Sequence, residues 1–272
     1  MEYLMTYGWA ILIIVIVMVA LFSTGILNTV APKAQPGACS VSRLTQGGTL
    51  QGNCNGEFPE TVAYFNGLSA AVTVPIFAAN LNTNGETFCA WEEVPSYVPS
   101  SYGSILVAIQ YANTGLNLVS AGSNGYALST YANGISEPVG SIGYGSWNFL
   151  CVVYSVGNPS RIDYLNGLPI YTDSSGSAPG SVSGLIIGNN GYTCCSDTNN
   201  LPDYESNVQV YNASLPASDI LALYQKGMGG APIDTNYLVG WWPLNGNAQD
   251  YSGNNNQGTA TDVIWTSTYT PP

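Results

Sequence analysis

The 272-residue sequence contains no histidine, and it has four basic residues against sixteen acidic ones, for a net charge of −12. Without histidine the chain lacks the usual general base of Ser-His and Cys-His nucleophiles and every His-based metal site. Neutralising phosphates requires several Lys or Arg side by side, so the absence of a basic cluster argues against nucleic acid as a partner. The four basic residues are scattered: Lys33, Arg43, Arg161 and Lys226.

Charged residues make up 7% of the chain, whereas soluble domains average roughly 25%. Asn, Gly, Ser, Thr and Tyr supply the polarity instead, as is typical of extracellular β-rich proteins. The six cysteines form no CxxC pair, which argues against a zinc ribbon or a thioredoxin-like site. An even count behind an apolar N-terminal segment predicts disulfides formed outside the cell. The candidates are Cys39, Cys54, Cys89, Cys151, Cys194 and Cys195.

Six cysteines allow fifteen pairings, and the sequence does not choose among them. Cys39–Cys54 is favoured because it closes a short local loop. Adjacent Cys194 and Cys195 are expected to join two different partners rather than each other. The alternative is that the cysteines are buried free thiols.

The N-terminal segment, residues 1–30, carries Glu2 as its only charge and an unbroken apolar run from Trp9 to Phe22. As a helix of ~28 residues it would be roughly 42 Å long, enough to cross a hydrocarbon core of ~30 Å. A signal peptide is disfavoured because the basic n-region is absent and the apolar run is too long. As an ordinary anchor, the segment would place the cysteine-rich domain in the cytoplasm, because the nearest basic residues follow it.

The motif Glu2-Tyr3-Leu4 followed by Thr6-Tyr7-Gly8-Trp9-Ala10-Ile11 resembles the start of archaeal type IV pilins and pilin-like proteins. In that family a prepilin peptidase removes a short basic leader, and the mature chain begins with a long hydrophobic helix that carries a Glu near its start. The resemblance implies that a leader and the first mature residues precede Met1. It also implies a homopolymer assembled through these helices, with the chain inserted in the membrane before assembly.

Glu2 is the candidate assembly residue. An ionised carboxylate in hydrocarbon costs ~2.5–3.5 kcal/mol, and the helix dipole returns only about 0.3–1 kcal/mol. No Lys or Arg of the segment can pair with Glu2. We therefore expect it to pair with an α-amino group as subunits pack helix against helix. The alternative is that Glu2 is a solvated helix end at the membrane–water interface.

Residues 31–38 predict a linker, because two prolines and a glycine interrupt regular structure. Residues 39–272 predict one mainly β domain, since β-rich runs recur between Asn/Gly turns. One helix is expected from Pro216 to Lys226, with Ser214 as a possible cap and Gly227 just after its end. The predicted strand runs are Ala70–Ile76, Phe88–Val94, Ile105–Tyr111, Trp147–Val156, Ile162–Leu165, Leu185–Gly188 and Val208–Tyr211.

Several motifs, in their order and spacing, resemble the concanavalin A-like, laminin-G-like jelly roll. They are Tyr64-Phe65-Asn66-Gly67, Ala90-Trp91, Trp147-Asn148-Phe149, Tyr164-Leu165-Asn166-Gly167, Ile186-Ile187-Gly188 and Asn207-Val208-Gln209-Val210-Tyr211-Asn212. The resemblance implies a β-sandwich. The tail from Val239 carries a Trp-Pro-Leu-Asn-Gly signature that usually opens such a domain. We expect a circular permutation rather than a truncated second domain, because about thirty residues cannot bury a core.

Asn245, Asn247, Asp250 and Ser252 form an oxygen-rich turn in this tail. One interpretation is a calcium site, for which Asp250 and Asn247 would be ligands. The other, which we favour because the turn has a single carboxylate, is Asx-turn hydrogen bonding to the local backbone. The loop from Asp197 to Asp203 is a second candidate of the same kind. No other cofactor is expected.

Catalysis is not expected. Glu92-Glu93 is the only adjacent acidic pair, and neighbours on a strand face opposite sides, so the pair cannot flank a glycosidic bond. No acids two apart on one strand face are evident. Asn212-Ala213-Ser214 is the sole N-glycosylation sequon. The nineteen Tyr residues could stack on sugars or simply fill cores.

These observations favour a structural subunit of an extracellular, pilus-like filament that displays a lectin-like sandwich for adhesion at the cell surface. The alternative is a membrane-anchored protein that binds surface glycans and does not polymerise. The two hypotheses share a fold and differ in what the N-terminal helix packs against.

Overall fold

The structure, a computed structural model, describes residues 58–74, 85–94, 103–109, 115–120, 126–132, 135–157, 159–174, 184–189 and 202–269. The chain divides into two units, Met1–Ala34 and Gln35–Pro272, and every described residue belongs to the second. The predictions about Glu2, the N-terminal helix and the linker lie outside the described residues. So do those about Cys39, Cys54, Cys194 and Cys195.

In the described part of the chain there are fifteen strands and one helix. In chain order they are β1 (Val62–Asn66), β2 (Ala71–Val74), β3 (Glu86–Glu93), β4 (Gly103–Ile109), β5 (Gly115–Ser120), β6 (Tyr126–Ala132), β7 (Ile135–Ile142), β8 (Asn148–Tyr154), β9 (Arg161–Leu165), β10 (Leu168–Asp173), β11 (Leu185–Ile187), β12 (Pro202–Tyr211), α1 (Ala217–Gln225), β13 (Leu238–Trp242), β14 (Thr259–Thr261) and β15 (Ile264–Thr266).

The strands form two antiparallel sheets. The larger sheet has eight strands in the order β10-β9-β8-β3-β12-β1-β15, with β13 also paired to β12; the smaller has seven in the order β14-β2-β11-β4-β5-β6-β7. Strand β12 is the hub of the larger sheet. It pairs with β3 along one edge, while its other edge pairs with β1 over residues 202–205 and with β13 over residues 208–211. This mainly β sandwich with one short helix agrees with the jelly-roll prediction.

Two hydrophobic clusters lie on opposite faces of the larger sheet. The inner core, between the sheets, joins Phe88 and Val210 of the larger sheet to Val72 and Ile187 of the smaller one. The outer core lies on the other face, where side chains such as Trp91 and Phe149 pack beneath α1. Strand β3 is buried along its whole length because both of its faces are covered.

A disulfide joins Cys89 to Cys151, which lie directly opposite each other on the paired strands β3 and β8. Both cysteines are fully buried in the outer core. The prediction that this chain contains a disulfide is therefore confirmed. The bond closes a separation of 62 residues between two central strands, a pairing that the sequence did not select.

Helix α1 spans nine residues and buries Ile220 and Leu223 against the larger sheet. It ends before Gly227, whose φ of 76° is the left-handed conformation that commonly terminates a helix. The prediction of Ser214 as the cap is wrong. The N-cap is Pro216, without a side-chain hydrogen bond, and the Ser214 hydroxyl instead donates to the Tyr154 carbonyl at 2.6 Å. Among the described residues, no helix is long and apolar enough to cross a membrane.

The C-terminal tail belongs to both sheets. Strand β13 pairs with β12, β15 pairs with β1, and β14 pairs with β2 of the smaller sheet. Trp241 lies in the outer core and Trp242 in the inner core, and both are buried. Gly240, which directly precedes the two tryptophans in β13, has to be glycine because a Cβ there would lie 2.1 Å from the Trp242 ring. Whether this arrangement is a permutation of a related fold stays a prediction.

Candidate functional site

Three residues form a transverse row on the outer face of the larger sheet, which we call the tyrosine row: Tyr64, Tyr204 and Glu93. Tyr64 of β1 lies directly opposite Tyr204 of β12, and Tyr204 lies directly opposite Glu93 of β3. Residues opposite each other on antiparallel strands point to the same face. The neighbours Ala63 and Phe65 belong to the inner core, so the row faces outward.

The two tyrosine rings of the row are in contact. Their centroids are 4.9 Å apart with an interplanar angle of 44°, and both side chains remain partly exposed. The two rings therefore form a partly exposed aromatic pair on the outer face, and Tyr204 also packs against the outer core.

Glu93 is 6% exposed, and its Oε2 atom is buried without a hydrogen-bond partner. Burial raises the pKa of this carboxyl group above its ordinary value. Burial also raises the pKa of Tyr204, with smaller contributions from Tyr64 and Glu93. A buried acceptor that lacks a donor is costly, so a ligand hydroxyl or amine that reached Glu93 would remove that cost.

Trp147 extends the row by one position. It precedes Asn148, which lies opposite Glu92, and it belongs to the outer core. The Tyr269 ring packs edge-on against Trp147, with centroids 5.9 Å apart. The indole Nε1 of Trp147 is buried without a hydrogen-bond partner. Among the described residues, this region of the outer face thus contains one buried donor, Trp147 Nε1, and one buried acceptor, Glu93 Oε2, that lack partners.

Aromatic faces beside a few convergent polar groups are the usual composition of a small-molecule binding surface. Tyr combines an apolar ring with a polar tip, which suits the apolar face of a sugar ring. A carboxylate suits its hydroxyl groups, because it accepts hydrogen bonds only. The composition of the row is therefore compatible with binding a ligand that has an apolar ring face and hydrogen-bond donors.

The tail turn that the sequence identified uses its oxygens locally. The Asp250 carboxylate accepts from the backbone N–H of Trp241, Ser252 and Asn256 at 3.0, 2.8 and 2.8 Å, and from the Ser252 hydroxyl at 2.9 Å. The contact to the Ser252 N–H is an Asx turn, and the bonds to Trp241 and Asn256 tie the turn to β13 and to the following segment.

The two asparagines of this turn are also engaged. Asn245 Oδ1 accepts from Thr61 N–H, and Asn247 Oδ1 accepts from Gln249 N–H. No group of three or more Cys, Asp and Glu suited to a metal ion occurs in the described part of the chain. Calcium at this turn stays a prediction.

Glu92 and Glu93 face opposite sides of β3, as their adjacency predicts, with Glu92 toward the inner core. The sequence reading that no acids lie two apart on one strand face was wrong. Asp203 and Glu205 do so on β12, and Glu205 lies directly opposite Glu92. The reading failed because the strand was expected to begin at Val208, whereas β12 begins at Pro202. All three acids are fully buried between the sheets, so they cannot reach a substrate as they stand.

The sequon residue Asn212 lies just after β12, beside a polar cleft of about 520 Å³. Asp234, Asn236 and the exposed Tyr237 also line this cleft. Ser214, the third sequon residue, is held by its bond to Tyr154. N-glycosylation at Asn212 stays a prediction. The tyrosine row itself was missed from sequence because Tyr64 and Tyr204 are far apart in the chain.

No protein-family model matches the chain, and no curated protein matches it in sequence. Solved structures do match in fold. A protein from Bacteroides ovatus named for carbohydrate binding matches with a TM-score of 0.56 and 14% identity, over 79% of this chain and 62% of that protein. A heptameric SAP-like pentraxin from Limulus polyphemus matches with a TM-score of 0.52 and 16% identity, over 75% of this chain and 94% of the pentraxin.

A Trypanosoma rangeli sialidase matches with a TM-score of 0.47 and 18% identity, over 60% of this chain and 27% of the sialidase, which is too low to carry an argument. At these identities the likeness shows the fold alone. The chain shares the β-sandwich of the carbohydrate-binding and pentraxin proteins, and it spans about three fifths of the length of the Bacteroides ovatus protein.

Proposed function

We propose that this chain is a cell-surface protein whose sandwich binds glycans as a lectin does, through the tyrosine row. The observation that carries the proposal is the row itself, in which two partly exposed rings 4.9 Å apart lie beside the unpartnered oxygen of Glu93. The fold shared with a protein named for carbohydrate binding supports it. A weakly charged, Tyr- and Asn-rich surface is compatible with this role.

A glycan array probed with the full chain in detergent tests the proposal. We expect binding to a subset of glycans, and we expect Tyr204→Ala to weaken that binding about tenfold or more, since losing an aromatic contact and its buried area removes about 1.4 kcal/mol or more. Tyr204→Phe keeps the ring and should stay within about threefold of the natural protein.

The matched control is Tyr237→Ala, which removes a tyrosine that is 52% exposed and lies on the separate cleft. It should leave glycan affinity unchanged. Equal losses in Tyr204→Ala and Tyr237→Ala, or no glycan bound at all, would remove the row as a lectin site. Thermal melts of each variant separate lost binding from lost folding.

For the N-terminal segment the proposal is assembly into an extracellular, pilin-like filament through helix–helix packing. Its support is the apolar sequence from Trp9 to Phe22 and the lone carboxylate of Glu2. The alternative is a membrane anchor that presents the same sandwich without polymerising. The filament version places the lectin-like domain outside the cell, and the anchor version does so only if the segment inserts against the orientation that Lys33 and Arg43 favour.

Electron microscopy of the cell surface distinguishes the two versions. Filaments labelled by an antibody to this chain support assembly, and their absence supports the anchor. Glu2→Gln removes the charge and keeps the shape, so we expect it to reduce filament number if Glu2 sets the register between subunits. Normal filaments in that variant would show that Glu2 is only a solvated helix end.

A further inference from the structure

We infer that the tyrosine row selects glycans by charge, binding sugars with a free amino group most tightly, neutral sugars less tightly, and acidic sugars least. This inference rests on the proposed function and assigns a ligand class to the same site. The ligand class is an unacetylated hexosamine, whose ammonium group would lie against Glu93.

The first step of the argument is the unused acceptor. Glu93 is more than nine-tenths buried, and its Oε2 atom has no hydrogen-bond donor. An ammonium group donates a charge-assisted hydrogen bond to a carboxylate, and such bonds are roughly twice as strong as neutral ones. A sugar hydroxyl also makes a charge-assisted hydrogen bond to an ionised carboxylate, but it lacks the attraction between opposite charges that the ammonium group adds. The amino sugar therefore compensates the buried carboxylate better than its neutral counterpart does.

The second step is the aromatic surface beside that oxygen. Tyr204 lies directly opposite Glu93, and Tyr64 directly opposite Tyr204. The faces of these rings carry negative partial charge and attract a cation placed over them. Both the carboxylate and the rings thus favour a positive group on the ligand.

The third step is the lack of a cation for an acidic sugar. Arg161 and Lys226 are the basic residues in the described ranges. Arg161 lies on β9 with its Nε atom 3.4 Å from the Asp163 carboxylate, both buried. Lys226 donates to the Ala231 carbonyl at 3.1 Å. Neither forms an ion pair with Glu93, so neither of these two described cations would compensate the carboxylate of an acidic sugar placed against Glu93.

The experiment compares three ligands of equal length on the full chain in detergent by isothermal titration calorimetry at pH 7. They are the tetramers of glucosamine, N-acetylglucosamine and galacturonic acid. We expect the glucosamine tetramer to bind about tenfold more tightly than the acetylated one, and the galacturonate tetramer to bind more weakly than both. Because this comparison uses the natural protein, it does not depend on any variant folding.

Glu93→Gln removes the charge and keeps the shape, and it should reduce the preference for the free amine to about twofold or less. The matched control is Glu60→Gln, which removes the same net charge from an exposed residue and should retain the preference. Equal effects of the two substitutions would trace the preference to net charge and overturn the inference.

The two proposals fail in distinguishable ways. If the acetylated or acidic tetramer binds as tightly as the free amine, and Tyr204→Ala abolishes that binding, the row is a glycan site and the charge inference is wrong. If none of the tetramers binds and the glycan array is also blank, the proposed function itself is wrong. If the natural protein prefers the glucosamine tetramer tenfold, and this preference is lost in Glu93→Gln and kept in Glu60→Gln, the result supports both the glycan-binding function and the charge inference.

Discussion

At the scale of single residues, the inner face of the larger sheet contains acids in an apolar setting. Glu92 and Glu205 are fully buried, and both carboxylate oxygens of each lack a hydrogen-bond partner. Burial and the charge of Asp203 raise the pKa of both groups well above the ordinary value. Burial also raises the pKa of Glu86 to about 8. An isolated buried carboxylate is costly to ionise, so burial favours the neutral form of these acids.

This burial predicts that the domain loses stability as the pH rises. Between the ordinary carboxyl pKa of 4.5 and a folded value of about 8 for Glu86, the folded state binds more protons than the unfolded state. The free energy of unfolding then falls with rising pH by as much as ~1.4 kcal/mol per pH unit for each such group. Thermal melts should give a higher Tm at pH 5 than at pH 8.

Glu92→Gln tests at a single residue whether ionisation of a buried acid lowers stability at high pH. The amide cannot ionise, so at pH 8 we expect the variant to be more stable than the natural protein by ~1 kcal/mol or more, and at pH 4.5 nearly equal to it. Glu60→Gln at an exposed site is the control. A Tm that does not change with pH, or equal effects of the two substitutions, would show that the inner acids are solvated.

At the scale of elements, the tail is the segment on which the sandwich most depends. Deleting residues 237–272 removes β13, β14 and β15, and with them edges of both sheets. It also removes Trp241 and Trp242, whose indole N–H groups donate to Asn207 and to the Asn256 carbonyl. Losing a buried Trp costs about 3–5 kcal/mol, and domains have only about 5–15 kcal/mol in total.

We therefore expect the chain without residues 237–272 to lose cooperative unfolding, as measured by circular dichroism during heating. Removing only residues 270–272 keeps all three strands and serves as the control, with a Tm within a few degrees of the intact domain. A cooperative melt after the long deletion would mean that the tail is dispensable, as a vestigial second domain would be.

At the scale of the whole molecule, both hydrophobic clusters and the disulfide lie within residues 58–269. We expect a protein of residues 39–272 to be a soluble monomer with a cooperative thermal transition, because the sequence predicts a Pro-rich linker between the apolar N-terminal segment and the β domain. Gel filtration and calorimetry measure this. An insoluble or non-cooperative product would contradict a separate domain.

Reducing the Cys89–Cys151 disulfide tests how much this bond stabilises the same domain. By the loop-entropy estimate, closing a loop of 62 residues stabilises the fold by about 4 kcal/mol. Reduced protein should therefore melt well below oxidised protein. Mass spectrometry under non-reducing conditions should show fewer than six free thiols, and six would contradict an oxidised exterior.

Local patterns in the sequence predicted much of the secondary structure. The apolar, β-rich runs Phe88–Val94 and Trp147–Val156 predicted two central strands, and Gly227 marked the end of α1. No predicted strand run covered β1, β5, β6, β7 or β10. Ser129 in β6 and Pro138 in β7 interrupt the local pattern, and pairing with neighbouring strands holds the backbone extended there. Strand β12 also extends beyond its apolar part because β1 and β3 pair with Pro202–Glu205.

The sequence by itself determined a mainly β protein with an apolar N-terminal segment, few charges and cysteines available for disulfides, because composition and alternation are properties of neighbouring residues. Only the tertiary structure decided which distant residues meet. It placed Tyr64 beside Tyr204, paired Cys89 with Cys151, and brought Glu92 opposite Glu205. These contacts depend on the order and register of strands, which are set by the packing of two whole faces and not by any local run of sequence.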